Sequence, residues 1–163
     1  MALVDMFLKL ESARAGQVKG EANDADHGGE IDVVDWSWGM GTSGAMGGKG
    51  DALKSALQEL RIVKRVDAAS TALMSVMRTN DLVKKAVLTV RKAGNKPMDY
   101  FIVTVEKGRI TQYEVSSNSA MGLELTESLS IAFEKIDVEY RMQDEKGGRK
   151  GGSNFTAEVR SGA

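Results

Sequence analysis

Over the first ten residues Val4, Met6, Leu8 and Leu10 fall on one side of an alternating pattern, opposite Leu3, Asp5, Phe7 and Lys9. Alternation with a period of two marks a strand with one buried face, so the chain is predicted to open with a strand. A second alternating run, 31–40, changes phase: Ile31 and Val33 are odd, whereas Val34, Trp36, Trp38 and Met40 are even. One extra residue is the cheapest way to shift the face, so a β-bulge is expected at Val33-Val34. The slip recurs in 124–142, where Leu125, Leu129, Ile131 and Phe133 are odd and Ile136, Val138, Tyr140 and Met142 are even. Further strands are predicted over 57–66, 82–92, 99–107, 109–116 and 154–160, with Gly94, Asn95 and Pro97 turning between two of them. Only Leu73, Val76 and Met77 follow a helical spacing, which predicts a helix of about three turns. Asp67 or Ser70 is its expected N-cap, and Asn80 follows it. The fold class is therefore mainly β: an antiparallel β-barrel, made as two packed sheets, with one short α-helix.

Two stretches carry no periodicity. Residues 39–50 and 143–153 are rich in glycine, and both are expected to be flexible loops. With 163 residues the chain is long enough for one core and too short for two ordinary domains, so 1–163 is read as a single domain. Its 22 Lys plus Arg against 23 Asp plus Glu give a net charge of −1, without the footprint of a nucleic-acid or anionic-membrane binder. Pairs such as Lys84-Lys85 and Arg91-Lys92 are read as solvated faces. Cysteine is absent, which removes disulfides, thiolate metal sites and thiol nucleophiles. The segment MALVDMFLKL has no basic n-region, and its apolar run is broken by Asp5 and Lys9, so neither a signal peptide nor an anchor is expected. A soluble chain made in the cytoplasm is the expectation.

Candidate chemistry is thin. Gly39, Gly41 and Gly44 spell G-x-G-x-x-G, yet a dinucleotide loop needs a buried parallel strand before it and a helix at its third glycine. Here Asp32, Asp35 and Ser37 leave one face of the preceding strand wet, and Gly47, Gly48 and Gly50 stand where the helix should begin. Gly48-Lys49 resembles the end of a phosphate loop, but Ser43 occupies the first glycine position and Gly50 the hydroxyl position. His27 is the single histidine, and Glu21, Asp24, Asp26 and Glu30 around it lack calcium-loop spacing, so the segment is read as a solvated acidic loop. No catalytic residue, cofactor or metal site is expected. Trp36 and Trp38 share a strand face with Val34 and Met40 and are read as core, with a subunit interface as the alternative.

The segments VDMFLKL, VKGEANDADHGGEIDVVDWSWGM, LTVRKAG, YFIVTVEKGRIT and LTESLSIAFEKIDVEY, in that order, resemble the haemolysin-coregulated protein (Hcp) family, the tube protein of bacterial type VI secretion. The strand end Trp36-Ser37-Trp38-Gly39, the turn Arg91-Lys92-Ala93-Gly94 and the run 124–140 are its most specific pieces. The C-terminal SNFTAEVRSGA departs from the pattern by lacking a tryptophan-bearing strand, which leaves the pairing of the last strand open. The resemblance implies a structural, non-enzymatic subunit: a homo-hexameric ring that stacks into a tube, with spike, sheath, baseplate and effector proteins as partners. It also implies export to the medium or a target cell. With Trp36 and Trp38 inward, Asp35 and Ser37 are expected on the opposite face, offered to cargo in the lumen, with plain outer surface as the alternative because alternation gives a face and not the side of the ring it lines. The loop holding Gly39, Gly41, Thr42, Ser43, Gly44, Met46, Gly47, Gly48 and Lys49 is expected to reach the adjoining ring. A monomeric ligand-binding β-barrel is the alternative.

Overall fold

The computed structural model describes residues 4–43, 54–92, 97–117, 124–143 and 149–159. Its elements are β1 (Val4–Ser12), β2 (Gly16–Val18), β3 (Ile31–Asp32), β4 (Asp35–Ser37), β5 (Met40–Ser43), β6 (Lys54–Leu57), β7 (Leu60–Arg65), α1 (Ser70–Arg78), β8 (Val83–Lys92), β9 (Met98–Ser117), β10 (Leu125–Ala132), β11 (Lys135–Gln143) and β12 (Arg149–Glu158). All strand pairs are antiparallel. One layer runs β1-β8-β9-β11-β12, with β2 and β3 beside β1; the other runs β9-β10-β7-β4. Hairpin β5-β6 is a separate two-stranded ribbon. Among the described residues the expected barrel does not close: β2 and β4, three residues each, end the strand order.

Both phase slips are passages between layers, and this corrects the bulge reading. The Val33 N–H donates to the Met6 carbonyl at 3.0 Å, on β1, whereas the next N–H, that of Val34, donates to Val63 at 2.8 Å, on β7. In the second slip the run 124–142 divides into β10 and β11 at Phe133 and Glu134. Their common partner β9, expected as two strands, is one strand of 20 residues that bends at the same point. Lys107 takes a positive φ of 54° there, and a Cβ on Gly108 would lie 2.5 Å from the Ala132 carbonyl oxygen. Only glycine allows the two strands to cross the corner that closely.

Leu8, Leu10, Ile31, Leu60, Ile62, Leu88 and Ile131 fill the space between the layers and are fully buried. Truncating one such leucine to alanine costs about 2–5 kcal/mol, because the lost transfer energy and the cavity add. Helix α1 places Leu73 and Val76 against this core and packs on β9. Its N-cap position is Ala69, and neither expected capping residue occupies it. The Asp67 carboxylate instead accepts the Ala69 N–H at 2.9 Å, and Ser70 Oγ accepts that of Asp67 at 2.9 Å. Asn80, at φ 52°, ends the helix as a left-handed residue, a conformation asparagine tolerates.

The C-terminal strand pairs with β11 in register Ile136↔Ala157 and Val138↔Phe155. It begins at Arg149, inside the stretch read as a flexible loop.

Candidate functional site

Strand β4 sets the first candidate surface. Trp36 packs against the core and stacks on Phe101 at 5.7 Å, while Asp35 and Ser37 are exposed on the other face. Across the layer Ser37 pairs with Arg61, and Arg61 with Ser130; Asp35 pairs with Val63, and Val63 with Ser128. Small polar side chains dominate this face, which dips into a depression of about 340 Å³ bordered by Asp35, Arg61, Glu114 and Ser128.

The glycine-rich stretch begins as structure, since Met40–Ser43 is strand β5. The Gln58 N–H donates to the Gly39 carbonyl at 2.9 Å and closes the base of the β5-β6 ribbon. Gly41 and Thr42 lie along β5; Gly44, Met46, Gly47, Gly48 and Lys49 lie outside the described residues. Trp38 packs against the core at the ribbon's base, and among the described residues its buried indole N–H has no acceptor.

The far end of the first layer is apolar where a solvated surface would be polar. Ile136 is fully buried, but on the same face of β11 Tyr140 is 45% exposed, and Phe155 on β12 is 42% exposed. Phe155, Ala157 and Val159 form one side of a groove of about 390 Å³, with Met40, Ala56 and Leu57 on the other. Among the described residues β12 pairs only with β11, so its outer backbone edge is open. The outer face of the same layer carries one charge-alternating row: Glu11↔Lys85, Lys85↔Glu106, Glu106↔Lys135 and Lys135↔Glu158 are all direct cross-strand partners.

Two buried cations were not anticipated. Arg91, read as part of a solvated face, is 6% exposed and forks onto Asp24, donating Nη1 to Oδ1 at 2.8 Å and Nη2 to Oδ2 at 2.7 Å. Nη2 also reaches Asp5 at 3.1 Å. The Arg91 guanidinium holds Asp24 well below the usual carboxylate range, helped by the backbone N–H groups of Asp26 and His27. The acidic segment is thus a docked loop. His27, 8% exposed, lies beside this fork: its ring stacks on Phe7 at 4.5 Å, with Nδ1 2.8 Å from Glu30 Oε2 and Nε2 3.1 Å from Asp99 Oδ1.

Lys64 is fully buried and pairs across β7 and β10 with the buried Glu127. Lys64 Nζ also donates to Asp67 at 2.8 Å, Ser70 Oγ donates to Glu127 at 2.6 Å, and the Tyr113 hydroxyl donates to the other Glu127 oxygen. Burial, and then the Glu127 carboxylate, push the Tyr113 hydroxyl well above its ordinary pKa. The signal for this pair lay in the alternation itself: Lys64 is in phase with Leu60 and Ile62, and Glu127 with Leu129 and Ile131. No such signal joins Arg91 to Asp24, 67 residues away.

Known proteins resemble this chain in sequence and in fold. The family model for "Type VI secretion system effector, Hcp" matches residues 7–140. Protein hcp1 of Pseudomonas aeruginosa is 38% identical over 153 residues, covering 91% of this chain and 90% of its own. Among solved structures, one described as a type six secretion system protein superposes with a TM-score of 0.83 at 23% identity, over 95% of each chain. Hcp1 of Salmonella typhimurium superposes with a TM-score of 0.73 at 24% identity, over 94% of each. These two share the fold; the sequence matches reach further, spanning the docked loop, the layer-crossing corners and the buried Lys64–Glu127 pair. On that ground the chain belongs to the Hcp family of type VI secretion proteins.

Proposed function

We propose that this chain is the structural tube subunit of a bacterial type VI secretion system, acting by assembly and without catalysis. Copies close head to tail into hexameric rings, and the rings stack into an open-ended tube. A contractile sheath expels the tube together with a spike, and effectors travel in or on its lumen. Spike, sheath, baseplate and effector proteins are its partners on this reading, with no nucleic acid, membrane or cofactor. The protein is made in the bacterial cytoplasm and reaches the medium or a target cell through the contraction.

The observation that carries the reading is the open edge of β12 beside an apolar groove. A lone protein with an exposed, apolar edge strand invites uncontrolled pairing. A ring neighbour seated there removes the hazard and buries Phe155 and Val159. Asp35 and Ser37 then supply a small polar wall to the lumen, and the loop from Gly39 to Lys49 reaches the next ring. The monomeric ligand-binding alternative would need the interlayer space, which Leu8, Leu60, Ile62 and Leu129 fill.

Native mass spectrometry and negative-stain imaging test this together. The parent protein should form closed rings, and Phe155→Asp should shift them to monomers. Ser37→Gln should leave ring mass unchanged, since surface substitutions stay within about 0.5 kcal/mol, yet retain less co-purified effector. A parent that stays monomeric at micromolar concentration would sink the tube reading. Intact rings from Phe155→Asp would remove β12 from the contact, and equal effector recovery would place Ser37 outside the cargo path.

A further inference from the structure

His27 sits where the loop between β2 and β3 folds back onto the end of the first layer. A neutral imidazole offers one N–H donor and one lone pair. Two carboxylate oxygens, those of Glu30 and Asp99, lie at its two nitrogens, at 2.8 and 3.1 Å. Both contacts are satisfied only when a proton is held on each nitrogen, or when a carboxyl takes up the second proton. The ring also stacks nearly parallel on Phe7, with 10° between the planes, a face that attracts a cation.

We propose that His27 is a proton-operated clamp: as an imidazolium it ties the 20–30 loop, through Glu30, to the start of strand β9, through Asp99, and loss of one ring proton releases that tie. The clamp belongs to the single subunit and stands whether or not rings form. On the proposed function, a protein that passes between compartments then carries a loop whose hold on the first layer follows the pH it meets.

The groups facing the ring decide the direction. Glu30 and Asp99 act on it directly, and Asp24 accepts the His27 backbone N–H at 3.2 Å. Arg91 lies over the same Phe7 ring, 5.1 Å from its centroid, paired to Asp24 and Asp5, and Arg141 faces Asp99. Burial opposes the charged ring, but the hydrogen bonds to Glu30 and Asp99 outweigh it and raise the His27 pKa above its ordinary 6.5. A raised value means the contribution is fully present below pH 6.5 and is lost as pH rises through the folded value.

The chain has one histidine, so its imidazole resonances need no assignment, and NMR titration of the full chain reads the clamp directly. Both ring nitrogens should be protonated below pH 6.5, and the ring should titrate above that value. The loop reports through three amides: Gly20 bonded to Gly29, Ala22 to Glu30, and Gly29 to Ala22, at 2.9, 2.9 and 3.0 Å. After correction for intrinsic exchange, these should exchange at least about tenfold faster once the ring is neutral, the scale of one lost charge-assisted hydrogen bond. His27→Gln should abolish the pH dependence. Asp99→Asn, which keeps the histidine and the size of its partner, should lower the ring's titration towards 6.5 and flatten the loop response. A parent ring that titrates at or below 6.5, or loop amides whose pH response is the same in His27→Gln, would overturn the clamp.

Discussion

Arg91 and Lys64 are both cations taken out of water, and the molecule compensates them differently. Arg91 lies at the margin, where its fork matches the two oxygens of Asp24 and its acids keep part of their surface in solvent. Lys64 lies between β7, β10 and α1, with its carboxylate partner Glu127 fully buried as well. At the margin, water can return to whatever a broken pair leaves behind. In the interior it cannot, and an orphaned charge bears its full desolvation penalty. The first arrangement docks a loop that local unfolding could release; the second fixes a helix whose position the core depends on.

The largest expected effect comes from breaking the interior pair. Lys64→Met should cost on the order of 3–5 kcal/mol, because Glu127 is stranded, and adding Glu127→Leu should recover part of the loss, the Ser70 and Tyr113 hydroxyls then losing their acceptor. Urea unfolding at one fixed protein concentration measures both, because the proposed ring assembly would make apparent stability depend on concentration. A single-variant cost near zero would show that water already reaches the pair.

A smaller loss is expected from Arg91→Lys, which keeps the charge and gives up the fork. Its pH dependence sharpens the contrast. Because the Asp24 carboxyl is held low, the pair's contribution is present above the ordinary value of 3.8 and is lost as pH falls through the folded one. The gap between parent and variant should therefore narrow in acid, as read from urea midpoints at neutral pH and below pH 3.8. A gap as large as that of Lys64→Met would erase the distinction between margin and interior.

The exposed charge row supplies the low end of the scale. Glu106→Lys places a cation between Lys85 and Lys135 and should cost about 0.2–1 kcal/mol per cross-strand pair. Concentrated salt should recover most of it. A melting temperature unmoved by the substitution at low salt would mean that the row contributes nothing to the sheet.

The sequence shows unequal amounts of these features. Alternation located most strands, and the spacing of Leu73, Val76 and Met77 located α1, because both patterns follow from local geometry. The phase slips at Val33-Val34 and after Phe133 were equally visible, but period alone does not separate a bulge from a change of layer. That distinction lies in which distant carbonyl each N–H finds, Met6 for Val33 and Val63 for Val34. Lys64 and Glu127 stood at inward positions and were passed over because charge is assigned to the surface by default. Arg91 and Asp24 carried no local mark, since a pair so far apart in sequence is made by folding. The outward direction of Asp35 and Ser37 was legible; which side of an assembly they line is not written in a period of two.

The corner at Lys107 and Gly108 has a mechanical side. Strand β9 runs through it unbroken and is hydrogen-bonded in both layers, to β8 and β11 on one side of the bend and to β10 on the other. A thrust along β9 meets those ladders in shear, so their bonds resist together; a force applied crosswise would open them singly. If the chain works as the proposed tube subunit, pushed forward by a contracting sheath, this one strand would pass the push from one layer to the other.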